Sequence, residues 1–340
     1  MNIKQTLEYK LKGERNNRPR KPIISDGKLF VIFVYDKKGF IESRIQCLST
    51  DDFNIIWEFT LGHVINNIVL LENRTLLTSC MNGKILCFNI TNGEIIWEYT
   101  TSDSNIGAIS NEANGRAVFS GIQRGKKTYC IDTNTGSIQW EVENTGHSYI
   151  PIIYKENIFN TIGNDLYCLD LKTGSTLWKS TEPRTYLFNP KIFQHFVLAS
   201  GHGIINAYEI TSGQIVSSIE VSLSKFDGAS AIREVVSDTE NIYFGDAMGN
   251  FYCYEMNNKE FTLKWKVETK GPIESVPLLM DDHVLIINNG LQLLGINKKN
   301  GAIEIEKKTK GEAHISGLTI DNGIIYFSCG GGIVCKYEQK

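Results

Sequence analysis

Short apolar runs broken by Asn-Gly, Thr-Gly and Asp-rich turns fill the chain, and no long stretch keeps helical periodicity. The segment from Ile65 to Thr100 sets the pattern. Ile65 to Leu71, Thr75 to Cys80, Lys84 to Ile90 and Glu94 to Thr100 are rich in β-branched, aromatic and aliphatic residues, with breaks at Glu72-Asn73, Asn82-Gly83 and Asn92-Gly93. Asn-Gly supplies the positive φ angles of a two-residue hairpin turn, so this segment predicts four short strands in an up-and-down meander.

The meander repeats. CFNITNGEIIW from Cys87 returns as CIDTNTGSIQW from Cys130 and CLDLKTGSTLW from Cys168. Weaker copies begin at Cys47, Ala207, Cys253 and Gly295, and an eighth runs off the end from Cys335. The anchors lie 40, 43, 38, 39, 46, 42 and 40 residues apart. A period of about 40 to 45 residues belongs to propeller blades. The missing outer strand of the eighth unit lies at the other terminus, where Thr6-Leu7-Glu8-Tyr9 aligns with Ile96-Trp97-Glu98-Tyr99. The expected fold is therefore all-β: an eight-bladed β-propeller of four-stranded antiparallel blades, forming one domain over residues 1–340. Residues 1–12 complete the last blade by pairing beside Val334 to Glu338, which removes an open sheet edge.

The anchor pattern is a small residue, x, Asp or Asn, then Thr/Asn-Gly, then Trp. It resembles the pyrroloquinoline-quinone-like repeat family, and the resemblance covers nearly the whole chain. It implies that the tryptophan of one blade packs against the next. Trp57, Trp97, Trp140, Trp178 and Trp265 all occupy that slot, while Ser217 and Ile305 replace it in the fifth and seventh units. Their periodicity favours blade docking over an aromatic binding surface. Cysteine follows the same logic. Cys47, Cys87, Cys130, Cys168, Cys253 and Cys335 are read into the small-residue slot, and Cys80 and Cys329 into a second slot late in a strand. Equivalent slots in different blades point to packing, with Cys80/Cys87 and Cys329/Cys335 left open as hairpin disulfides.

Charge narrows the function. With 35 Lys and Arg against 38 Asp and Glu, the net charge of −3 argues against a general nucleic-acid binder. The N-terminus has no apolar signal region, and the longest apolar run, Leu29 to Tyr35, falls far short of the roughly 18 residues of a membrane span. A cytoplasmic protein without membrane contact is expected. Quinone-dependent dehydrogenases of the resembled family carry vicinal cysteines and calcium-ligating carboxylates on elaborated loops; this chain has no Cys-Cys dipeptide and short loops. No catalytic, cofactor or metal residues are assigned. His63, His147 and His314 come from separate blades rather than from one ligand motif.

The expected function is non-catalytic binding of a protein, as scaffold, complex subunit or inhibitor. A small-molecule or sugar binder and a propeller enzyme are the alternatives. The candidate partner face gathers Arg15 and Arg18 with the residues that enter the innermost strands, Arg20, His63, Asn105, His147, Tyr186, Asp227, Glu274 and His314. Lys10, Lys12, Arg15, Arg18, Arg20 and Lys21 face only Glu14 in what reads as the first inter-blade loop. That stretch is either solvated or a docking patch for a partner with an acidic surface, since Arg favours bidentate carboxylate contacts.

Overall fold

The computed structural model describes residues 3–11, 15–122, 127–144, 146, 148–181, 188–221, 231–312 and 317–339. Among the described residues there is no helix, and the strands form eight antiparallel sheets, the blades of an eight-bladed β-propeller. The two middle strands of a blade are buried on both faces, as in Thr75–Cys80 and Lys84–Asn89, so they read as continuous apolar runs. The outer strand Ile95–Thr100 alternates half-buried with exposed positions because only one of its faces meets a neighbour. Two compact units carry the blades: Met1–Gly62 with Val221–Lys340, and His63–Glu220.

The first unit contains the closure. Strand β1 (Ile3–Lys10) pairs antiparallel with Ile333–Gln339 and completes a four-stranded sheet with Ile324–Cys329 and Leu318–Asp321. Leu7 lies opposite Lys336 and Tyr9 opposite Val334, with a bulge between Gln5 and Leu7. In the second blade Trp97 lies opposite Cys87 and Tyr99 opposite Ile85, with a bulge between Ile95 and Trp97. Leu7 thus holds the tryptophan slot, as the alignment required. The facing small-residue slot, however, belongs to Lys336 and not to Cys335. Matching cysteine to cysteine misplaced the register by one residue, because the turn sets it: Cys87 follows Cys80 by seven positions, and so does Lys336 follow Cys329. Lys336 is tolerated there because its ammonium pairs with Glu338 at 3.2 Å.

The first blade departs most from the repeat. It has β2 (Arg15–Pro19), β3 (Ile23–Ser25), β4 (Lys28–Lys37), β5 (Phe40–Ser49) and β6 (Ile55–Leu61), in the order β2-β4-β5-β6 with β3 also on β4. The sixth to eighth blades of this unit each have four strands. In the second unit, the third blade has three named strands, and an Ile106–Gly121 bridge stands where an inner strand would pair.

Bulges recur in the outer strand of all eight blades, always just before the tryptophan slot. The slot itself has a fixed partner. A Cβ on Gly136, Gly174, Gly213 or Gly301 would lie within 3 Å of the indole of Trp97, Trp140, Trp178 or Trp265 respectively, and each glycine has φ near +74°. Both the space and the backbone demand glycine there. Each of these glycines donates its N–H to the carbonyl four residues earlier, for example Gly174 to Asp170 at 2.8 Å. The Asp170 carboxylate in turn accepts from the Thr173 N–H and hydroxyl, both at 2.7 Å. This is the mechanical reason for an Asp-x-x-Thr-Gly motif. The indole N–H of Trp140, Trp178 and Trp265 donates to the carbonyl of Leu171, Ile210 and Lys298 at 2.9–3.0 Å. Trp97 lacks this bond. Trp57 and Trp265 are buried, while Trp97, Trp140 and Trp178 are half-buried.

All eight cysteines are free and buried. Neither hairpin pair is a disulfide. Desolvation pushes the thiols of Cys47, Cys80, Cys130, Cys168 and Cys253 up to about 12 and Cys329 to about 11, so they are protonated and inert at neutral pH.

Candidate functional site: a raised sheet on the first blade

In most blades the hairpin between the middle strands turns only a few residues before the small-residue slot. In the second blade the pairing nearest the turn lies two positions before Cys87, at Ser79 opposite Ile85. In the first blade it lies seven positions before Cys47, at Lys37 opposite Phe40. At about 3.4 Å per residue the β4–β5 hairpin rises roughly 17 Å further than its repeat requires. Strand β2 lies along the raised part of β4, with Arg18 opposite Val34 and Pro19 opposite Phe33. The basic stretch expected as a loop is therefore partly a strand. The difference arises because Leu29 to Tyr35 continues as strand beyond the blade, offering β2 an edge on which to pair.

The raised sheet has a packed stem and a bare tip. Phe33 and Tyr35 are buried in a cluster with Leu11, Val31 and Phe53, and Leu7 and Tyr9 pack against it. The Tyr35 hydroxyl donates to Glu42 Oε2 at 3.2 Å, and the Arg44 guanidinium lies 5.5 Å over its ring. Lys38 and Gly39, at φ +52° and +87°, form the turn, and the Gly39 N–H donates to Asp36 Oδ1 at 3.2 Å. Positive φ at both central residues is the hairpin turn that matches strand twist. Beyond it Phe40 is 76% exposed and Ile41 54%. Residues 10–21 and 36–44 together carry nine Lys and Arg against three Asp and Glu, in a chain of net charge −3.

Of the residues predicted for the partner face, Arg20, His63, Asn105 and Glu274 have described side chains. Arg15 and Arg18 sit on β2 by backbone, and their side chains lie outside the described residues. Arg20 is half-buried and pinned: its N–H donates to the Ile32 carbonyl at 2.9 Å, and its carbonyl accepts from Ser328 Oγ at 2.7 Å. His63 is exposed, and Asn105 is half-buried with its carbonyl accepting the Ile122 N–H. Glu274 is engaged locally, by Arg233 at 3.2 Å and by the Asn289 amide at 3.0 Å. His147, Tyr186, Asp227 and His314 lie outside the described residues. Among the described residues no three His, Cys, Asp or Glu side chains are placed to hold a metal ion.

Sequence reasoning missed Phe40, Ile41, Lys37 and Lys38. The available signal was Lys38-Gly39, a turn dipeptide set well beyond the point at which the other hairpins reverse. A second feature it missed is a groove of about 250 Å³ in the other unit, lined by Thr128, Asn144, Tyr167 and Gly174 among others. Asn144 Oδ1 is buried there without a hydrogen-bond partner.

A family model described as outer membrane protein assembly factor BamB matches residues 4–180 and 201–340. The fold is shared with the crystal structure of BamB from Moraxella catarrhalis, at 14% identity and TM-score 0.73 over 99% of this chain and 100% of that one. It is also shared with the computationally designed protein Ika8, at 11% identity and TM-score 0.77 over 97% and 98%. A quinohemoprotein alcohol dehydrogenase from Comamonas testosteroni aligns at 11% identity and TM-score 0.78, over 99% of this chain and 77% of that one. No curated protein sequence matches the chain.

Proposed function

Because the chain belongs to the family described as outer membrane protein assembly factor BamB, we propose that it is a non-catalytic propeller that works by binding another protein. An assembly factor and a dehydrogenase share this fold, so fold alone does not separate the two. The observation that carries the reading is the raised sheet of the first blade. It is braced from beneath, rich in Arg and Lys, and longer than its blade needs. A rigid surface fixed before association lowers the ordering cost of binding. Arginine-rich surfaces favour partners with acidic patches, with attraction weakened by salt. The partner class is thus a protein with an acidic face that meets β2 and the residues after it. The eight free buried thiols support placing this activity in a reducing compartment, the cytoplasm. The groove beside Asn144 supports a small-molecule reading less well, because its volume falls below the 300–1,000 Å³ usual for ligand pockets.

The test is a pull-down with the full chain, followed by affinity measurement on the recovered protein. Arg18→Glu with Arg20→Glu is expected to weaken binding at least tenfold and to flatten its salt dependence. Arg20 is pinned by its backbone, so Lys21→Glu, at an exposed position, serves as a second variant. Unchanged affinity in both variants at unchanged melting temperature would exclude this surface.

A further inference from the structure

We infer that the tip of the β4–β5 hairpin, from Lys37 to Ile41, docks into the interface of an anionic lipid bilayer. This goes beyond the protein-binding reading, which shares the raised sheet but meets β2 and the residues after it, and rests on the hairpin tip. Three observations carry it.

The first is reach. The tip stands roughly 17 Å beyond the level at which its repeat would turn, so it can meet a surface ahead of the blade. The second is the distribution of apolar side chains. Phe40 faces Lys37 across the hairpin, and Ile41 faces Asp36, so the two exposed side chains lie on opposite faces of the same tip. A flat protein partner covers one face of a hairpin. A fluid interface closes around both.

The third observation is charge. Lys38 is exposed at the turn itself. Asp36 accepts from the Gly39 N–H and Glu42 pairs with Lys37 at 3.2 Å, and residues 36–44 carry three Lys and Arg against two Asp and Glu. Arg44 follows behind the tip on β5, opposite Phe33. Basic residues near an anionic surface are each drawn to it, while adjoining apolar side chains enter the headgroup–acyl boundary.

Depth is limited by the backbone. Strand β6 pairs with β5 only as far as Ser43, so the peptide groups of Phe40 to Glu42 have no neighbour on that side within the sheet. Unpaired peptide groups are costly in hydrocarbon but are satisfied at the hydrated interface. The stem therefore stops where Tyr35, Glu42 and Arg44 brace it. The expectation of no membrane contact came from the lack of a spanning segment, and surface docking needs none.

The experiment is co-sedimentation of the full chain with vesicles of phosphatidylcholine alone or with about 30% phosphatidylglycerol. Binding is expected only to the anionic vesicles, and is expected to fall when salt is raised from about 0.05 M to 0.5 M. Phe40→Ser with Ile41→Ser should reduce partitioning at least tenfold at unchanged melting temperature, since both side chains are exposed. Lys38→Glu should reduce it by roughly 10- to 30-fold, as expected for reversing one charge near an anionic surface. Failure of the unaltered chain to bind anionic vesicles would overturn the inference. So would equal binding by the Phe40/Ile41 variant. If that variant loses a protein partner while the unaltered chain ignores vesicles, the tip belongs to a protein interface and the lipid proposal fails. None of these outcomes decides the protein-binding reading, which the Arg18, Arg20 and Lys21 variants test separately.

Discussion

Two seams of the molecule solve one packing problem with opposite allocations of bulk. At a regular seam, Trp140 of the third blade lies over Gly174 of the fourth, and the large residue belongs to the outgoing strand. At the closing seam the outgoing strand is β1, whose slot residue is only Leu7. The glycine position of the first blade is here Phe53, which donates its N–H to Ser49 four residues back, as the glycines do. Its φ is +61°, an unusual conformation for an aromatic residue, yet it is buried in the cluster against which Leu7 packs. Its ring also lies 6.3 Å from that of Tyr326 in the last blade. Bulk has moved across the seam. What the repeat conserves is filled volume between blades, with Trp-over-Gly as its usual but not its sole form.

The largest effect should come from emptying a regular slot. Trp265→Ala removes a buried indole and its hydrogen bond to Lys298, and is expected to cost roughly 3–5 kcal/mol in chemical denaturation. Trp97→Ala should cost clearly less, because that side chain is half-buried and its N–H is unpaired. Equal losses would mean that these slots do not work by packing.

At the closing seam two terms compete. Phe53→Gly relieves a left-handed backbone strain of about 1–2 kcal/mol but forfeits a buried ring usually worth 3–5. Burial wins, so a net loss of about 2–3 kcal/mol is expected. Leu7→Trp added to Phe53→Gly should recover part of it, and a double-mutant cycle without positive coupling would break the exchange-of-bulk argument.

A smaller effect concerns acid. Between the sixth and seventh blades, Lys298 accepts the Trp265 N–H through its carbonyl and pairs with Asp238 through its ammonium at 3.2 Å. Burial opposes ionisation of Asp238. Hydrogen bonds from the Asn241 and Glu240 N–H groups and the Tyr243 hydroxyl nonetheless hold its carboxyl down at about 2, against 3.8 ordinarily. A depressed carboxylate stabilises above its unfolded pKa, so this contribution of up to about 2 kcal/mol is complete above pH 4 and is lost as pH falls toward 2. Melting temperatures of the unaltered chain and Asp238→Asn should therefore converge over that window. A constant gap would assign the effect to packing.

Blade number, strand order and the composite last blade were legible in the sequence because each repeats a pattern. Asn-Gly and Thr-Gly fix turns, and the Trp slot recurs at a near-constant spacing. Legibility failed where the pattern was matched by residue type, as with Cys335, or where a feature occurs once. Nothing repeated announces the extra height of β4 and β5, and Phe53 looks like a lost glycine until Leu7 is seen across the seam. The candidate site was the least legible. Position in the repeat does not show the local partners of Glu274 and Arg20, and exposure at Phe40 depends on a length that only pairing reveals.

The bulge before each tryptophan slot also bears on how the molecule behaves in crowded solution. Among the described residues every outer strand ends its sheet, which makes each one a template for polymerisation. A recruited strand needs an unbroken two-residue rhythm to zip along that template. Each bulge inserts one extra residue, at Thr6, Ile56, Ile96, Gln139, Leu177, Val216, Lys264 and Glu304, so the rhythm fails partway along every edge. Aliphatic residues such as Ile55, Ile96 and Leu177 can then stay exposed on those strands without seeding fibres.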